Sequence, residues 1–458
     1  MDPPERESID HAAALGTRPI GRLLWQSCSQ TTLSVGIFGV YALTNAWFVA
    51  HGVSAQAMGS VNLVAPLMLI LGAVSTSVGV GGASLVSRSL GAGDPASAAR
   101  AAGNAFVAFW TTAIAFTVTG LLALDPLLTM LGATSDTRSA ARAYAVVILG
   151  GAIFSTGFSS LVRAEGRMRF STLLWVVPVL VQITLDPLLI FGLHLGVRGA
   201  ALGTVGGQIV SASMGAWFFF LQRDRPYRIG RAALRPHGPT IRALFAVGAP
   251  SFLSGFGATL LLILVNTTLS RTGSVTALAA FALCARIQTF ALMPHLGISQ
   301  GLQPVVGYNA GRRRYDRVLR ARNLSLRATA IYGGLAFLLV ALLARPLVGF
   351  FVHDQQIAAT ARHMLRIVAI GFTAAGIAPL VSAYFQSLGR PTPSYVISIG
   401  TLLAIKVPLV IALGTGGTTG IAVALAAGEV ATAATALLIL WRLQPPISVS
   451  GQLTEIST

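Results

Sequence analysis

WFFFLQRDRPYRIGRAALRPHGPTIRALFAV, Trp217 to Val247, lies at the middle of this 458-residue chain and decides how the rest is read. It leaves one apolar run, crosses the longest hydrophilic connection in the chain, Gln222 to Arg242, and enters another apolar run. Outward from it in both directions, apolar runs of about 20 or more residues follow one another almost to the C-terminus. Each is long enough to cross roughly 30 Å of hydrocarbon. Hydrophobic residues make up 54% of the chain and charged residues 10%, and the mean hydropathy is +0.73. No soluble core needs that much apolar surface, so the chain reads as an all-α integral membrane protein.

Twelve spans are expected, at roughly 20–50, 55–87, 101–124, 140–162, 172–193, 199–221, 241–270, 276–308, 323–343, 361–386, 394–413 and 420–441. The two sides of the central connection repeat each other. DPLL at Asp125 corresponds to RPLV at Arg345 at an offset of 220, and RAEGR ending at Arg167 to QSLGR ending at Arg390 at 223. Asn45 and Asn266, Pro187 and Pro408, and GAALGTVGGQ and GIAVALAAGE are each separated by 221. Two halves of six spans both start on the same side of the membrane, which makes them parallel repeats with a substrate path between them. The expected organisation is a disordered cytosolic tail over 1–19, an N-lobe over 20–221, a cytosolic inter-lobe loop over 222–242, a C-lobe over 243–441 and a cytosolic tail over 442–458.

Charge supplies the orientation. With the N-terminus in the cytosol, 23 arginines fall in inside segments and 7 in outside ones, which places both termini inside by the positive-inside rule. The net charge of +18 belongs to short arginine clusters beside spans, so its partner is anionic lipid rather than nucleic acid. Cys28 and Cys284 lie in apolar runs and supply neither a disulfide framework nor metal spacing, and no cofactor or metal is expected. The first residues are acidic and Pro-containing, unlike a signal peptide.

Few ionisable side chains stand inside the spans, chiefly Asp186, Arg286, Glu429 and Lys406, the only lysine. Charge at that depth is expensive, so function is sought there first. Asp186 reads either as a pathway acid or as a structural carboxylate bonded to a hydroxyl such as Thr204. Gln182 lies one turn before it on the same helix face. Counted from the outer ends of their spans, Arg286, Lys406 and Glu429 have similar depths, favouring a mutually neutralising C-lobe cluster over a coupling site. Asn45 and Asn266 read as interhelical hydrogen-bond partners or as cavity lining. His295 in mid-span reads by default as satisfied packing, and GVGGAS at Gly79 as close helix contact rather than a phosphate loop.

The runs VGAPSFLSGFG, SQGLQPVVGYNAG, GVGGASLVSRSLGAGD, LDPLLIFG and GVRGAALGTVGGQ resemble the multidrug and toxic compound extrusion (MATE) family, specifically its bacterial DinF-like branch, over about residues 20–441. The resemblance implies two six-helix lobes in a bacterial inner membrane, working as a monomer. It further implies export of amphipathic small molecules by alternating access, against inward H⁺ or Na⁺. Asp186 corresponds to the family's span-five acid, with Gln182 and Thr204 at polar positions of the same pocket. The resemblance also implies a span-one acid, and this chain carries Asn45 there, which exchanges no proton at physiological pH. Cation coupling is therefore expected at Asp186, Gln182, Asn45 and Thr204, and a substrate cavity lined by Asn45, Asn266, Arg286, Gln288 and Met293. A flippase for lipid-linked substrates is the competing reading, although it calls for several cavity arginines where Arg286 stands nearly alone. An intramembrane enzyme finds neither converging acids nor a nucleophile and base.

Overall fold

The connections between spans carry the residues that stop and start helices. Asp94, Ser274 and Asp354 each accept a backbone N–H of the first turn that follows, and His237 does the same ahead of Pro239. These bonds satisfy donors that a helix start leaves free. The computed structural model describes residues 11–53, 55–155, 158–271, 274–352 and 354–443, and among them no strand is found. The first half consists of α1 (Ile20–Gly52), α2 (Ala55–Gly91), α3 (Pro95–Leu122), α4 (Ser135–Gly151), α5 (Met168–Pro187) and α6 (Gly196–Ala216). The second consists of α7 (Gly238–Ser270), α8 (Val275–Gly311), α9 (Tyr315–Phe351), α10 (Gln355–Ala375), α11 and α12 (Gly417–Arg442). The eleventh is composite: Pro391–Tyr395, π-helical Val396–Gly400 and Leu402–Lys406, then Val407–Leu413.

Ten segments among the described residues are long and apolar enough to cross a membrane. The last of them, Pro391–Arg442, runs to 52 residues and holds both α11 and α12. With α1, 33 residues long, the number of spans is twelve. Several helices outrun their apolar stretches on the arginine-rich side. Thus α9 starts at Tyr315 rather than 323, because its amphipathic first turns continue the helix beyond hydrocarbon.

The repeat extends to single backbone conformations. Left-handed φ occurs at Gly93 and Arg313, at Gly166 and Gly389, and at Gly196 and Gly417, pairs separated by 220, 223 and 221 residues. At these three corners the lobes turn alike, and in one of them an arginine stands where its mate is glycine.

The lobes meet along small residues on the arginine-rich side. A Cβ on Gly81 would strike the Leu244 carbonyl and one on Gly248 the Ser77 carbonyl, so α2 and α7 touch backbone to backbone. The related contact joins α1 to α8, with Gly301 against Cys28 and Gly297 against Thr32. Ser27 and Thr31 donate to the Gly301 and Gly297 carbonyls, both at 2.7 Å. Farther along, Gly39 of α1 stands over Phe290 and Met293 of α8.

Two boundaries differ from expectation. Residues 11–17, placed in a disordered tail over 1–19, are helical, with Ala12 and Leu15 buried. HAAALG is rich in strong helix formers, and its apolar face packs with Leu302, Val305 and Tyr308. Asn309 Nδ2 donates to the Leu15 carbonyl at 2.9 Å, tying this helix to α8. The inter-lobe loop ends at His237 rather than Arg242 and is docked, not free. Asn104 of α3 donates to the Ala233 carbonyl and accepts the His237 N–H at 2.8 Å. The tail expected at 442–458 lies outside the described residues from 444 onward, as do residues 1–10.

Candidate functional site

The closest approach of α5 and α6 is made by the glycines of GVRGAALGTVGGQ. Gly199 lies on the Leu189 carbonyl, Gly207 on the Pro178 carbonyl, and Gly203 directly beneath Asp186 Oδ1. Any side chain at 203 would occupy the space of that carboxylate oxygen. The sequence thus uses glycine to press an acid against a helix backbone. After Pro187 the helix passes into a π-helical turn, Leu188–Gly192.

The four residues expected to form the coupling pocket do come together. Asn45 Nδ2 donates to Asp186 Oδ2 at 3.2 Å, Gln182 Nε2 to Thr204 Oγ1 at 2.9 Å, and Thr204 Oγ1 to the Ala200 carbonyl at 3.0 Å. Asn45 is 9% exposed, and Gln182, Thr204 and Asp186 are more deeply buried. Among the described residues Asp186 Oδ1 has no hydrogen-bond partner and Asp186 forms no ion pair. A buried carboxylate oxygen left in that condition is costly.

The C-lobe cluster is smaller than its sequence suggests. Lys406 Nζ and Glu429 Oε1 pair at 2.6 Å, with Glu429 backed by Gly371 of α10. Arg286, expected to complete the cluster, is exposed and forms no ion pair among the described residues. The reason is helical phase. Arg286, Phe290 and Met293 share one face of α8, and that face looks across at Gly39 of the other lobe. Depth alone groups Arg286 with Glu429, whereas helical phase puts it on the face of α8 that carries Phe290 and Met293.

The same phase corrects the cavity list. Gln288 lies on the opposite face of α8 with buried Cys284 and His295, toward the C-lobe interior. Asn45 turns toward Asp186 inside the N-lobe. Asn266 is exposed and lies five turns beyond Gly248 on the lobe-facing side of α7. The expectation of satisfied packing fails at His295. Its ring is buried edge-on to Tyr332, at 4.9 Å between centroids, with neither nitrogen hydrogen-bonded among the described residues.

One constellation escaped the sequence reading. Glu165 is fully buried against Arg225 and Tyr227 of the inter-lobe loop, accepting from Tyr227 Oη at 2.6 Å and from Arg225 Nε at 3.1 Å. The Arg225 guanidinium also lies over Phe218, Phe219 and Tyr227. Burial and the neighbouring Glu165 hold the Tyr227 hydroxyl well above the usual phenol range. The available signal was a lone acid in RAEGR facing an arginine-rich loop. That run served only as a repeat marker.

Two pseudo-symmetric six-helix lobes, joined by close helix contacts of α2 with α7 and α1 with α8, define a multi-pass membrane protein. Residues 31–188 and 250–412 match the MatE family, well over half the chain. The chain belongs to the MATE family, whose members are transporters rather than enzymes. It is 25% identical over 415 residues to the multidrug export protein MepA of Staphylococcus saprophyticus, covering 90% of this chain and 91% of that one. It is likewise 25% identical over 424 residues to MepA of Staphylococcus aureus, covering 92% of each. An outward-facing multidrug resistance MATE transporter superposes with a TM-score of 0.87 at 23% identity, covering 93% of this chain and 97% of that one. A MOP superfamily transporter from Pyrococcus furiosus gives 0.88 at 22% identity, covering 94% and 97%.

Proposed function

We propose that the protein exports amphipathic small molecules across the bacterial plasma membrane in exchange for an inward H⁺ or Na⁺, with the N-lobe pocket as the coupling site. The observation that carries the reading is Asp186. One of its buried oxygens is held by Asn45, and the other is unpartnered. The family and the staphylococcal multidrug exporters support the efflux direction. In this reading Asn45 holds the carboxylate in place and Asp186 alone exchanges the cation. Binding at Oδ1 relieves its unsatisfied state and changes how α1 packs on α5. That differential stabilises one lobe arrangement over the other, as a coupled transporter requires. The arginine-rich side, with both termini and the inter-lobe loop, faces the cytoplasm.

The test is efflux of a fluorescent amphipathic cation from proteoliposomes, under an imposed ΔpH and an imposed Na⁺ gradient in separate runs. Asp186→Asn is expected to remain folded and to lose gradient-driven export under whichever gradient drives the unaltered protein. Full export by Asp186→Asn under that gradient would shift coupling to Glu429 and Lys406.

A further inference from the structure

A cavity of about 490 Å³ opens on the arginine-rich side where the lobes meet. Its walls come from both lobes: Arg88, Ser89 and Asp94 from the N-lobe, Tyr384 and Arg390 from the C-lobe. The Arg88 Nε is held by the Ser84 carbonyl at 3.2 Å, and its guanidinium lies against Gly389, whose missing side chain leaves that room. Arg390 is exposed in the same wall, and neither arginine forms an ion pair among the described residues. Behind Tyr384 stands a third cation. Arg322 is 8% exposed, its guanidinium lies 5.8 Å from the Tyr384 ring centroid, and its Nη1 has no hydrogen-bond partner. The single acid in the wall, Asp94, is engaged in capping α3 through the Ser97 N–H at 2.8 Å.

We propose that this cavity binds a phosphate group across the lobe seam and thereby holds the arginine-rich side closed. Guanidinium groups pair with phosphate through parallel charge-assisted hydrogen bonds, and the Ser89 and Tyr384 hydroxyls supply further donors. Two lining arginines with a third behind them outweigh the one engaged carboxylate. The cavity lies at the ends of α2 and α8, the depth of anionic headgroups, so the phosphate comes from a phospholipid head or from solution. Because each lobe contributes one arginine, parting the lobes dismantles the site. This consequence rests on alternating access, while the binding itself does not.

The full-length protein in nonionic detergent is titrated with dihexanoyl phosphatidylglycerol, with inorganic phosphate and with dihexanoylglycerol, which lacks the phosphate. Phosphatidylglycerol is expected to bind and dihexanoylglycerol not to. Inorganic phosphate binding equally well assigns the site to a soluble anion, and weaker phosphate binding assigns it to the headgroup. Arg390→Gln, at an exposed position that spares the fold, and the pair Arg88→Gln with Arg390→Gln are expected to weaken binding by about tenfold or more. Arg231→Gln, exposed in the inter-lobe loop, is expected to leave it unchanged. Equal binding of dihexanoylglycerol, insensitivity to both arginine variants, or an equal loss in Arg231→Gln overturns the site. Ligand that binds without slowing maleimide labelling of Cys28 in the seam overturns its role in closure.

Discussion

At the scale of single residues, Gly203 and Asp186 are one feature, because the carboxylate exists in its position only while residue 203 has no side chain. Gly203→Ala is expected to push α6 from α5, to cost about 1–3 kcal/mol as overpacking does, and to uncouple transport while amphipathic substrate still binds. Thermal unfolding and equilibrium binding of a fluorescent substrate, measured beside gradient-driven efflux, separate these effects. Retained coupling in a folded Gly203→Ala protein would remove Asp186 from the mechanism. Glu429 is expected to behave differently. Glu429→Gln leaves Lys406 as a cation without its partner, at a cost of about 3 kcal/mol, and folded yield in detergent should fall accordingly. Normal yield with abolished transport would instead make Glu429 a functional acid. Asp186, Gln182 and Thr204 were legible because a four-residue spacing and a family pattern both describe one helix and its neighbour. Arg286 and Gln288 were not, since depth along a span says nothing of which way a side chain faces, and in α8 that is decided by packing against α1.

At the scale of elements, the paired left-handed turns show the repeat acting on the backbone itself. Arg313 adopts φ of 59° where its mate Gly93 adopts 76°. A side chain in this region costs about 1–2 kcal/mol, partly offset by the larger entropy a glycine loses on folding. Arg313→Gly is therefore expected to stabilise the protein by about 1 kcal/mol, and Gly93→Ala to destabilise it, both read from thermal unfolding of purified protein. Equal and opposite failure of these two changes would mean that the corners are not equivalent. The twelve spans were legible because each needs a long apolar run. The helix over 11–17 and the docking of the inter-lobe loop were not, because both depend on contacts distant in sequence. Leu15 is held by Asn309, and Arg225 by Glu165, and neither partner is marked by local periodicity. The loop, fastened to Asn104, Glu165 and Arg167 of the N-lobe, leaves His237 and Gly238 as the place where the chain passes between lobes.

At the scale of the whole molecule, α2 and α7 meet at glycines that bring two backbones together, so at Gly81 and Gly248 no change of rotamer can make room for a side chain. At Gly248 an added side chain meets the Ser77 carbonyl, and at Gly81 it meets that of Leu244. A β-branched residue at 248 can be accommodated only if α7 moves from α2, which parts the lobes. The chain carries its own reporters of that movement. Cys28 lies in the seam against Gly301, and Cys284 lies buried inside the C-lobe, donating to the Ala361 carbonyl at 3.4 Å. Gly248→Val is expected to raise the maleimide labelling rate of Cys28 by about tenfold, as a population shifted toward an open seam requires, and to leave Cys284 unreactive. Export should fail because one half of the cycle is held open, while binding of an amphipathic substrate persists. Faster labelling of both cysteines would report unfolding of the C-lobe. Unchanged labelling of Cys28 with normal export would show that the glycine contacts pack the lobes without gating them.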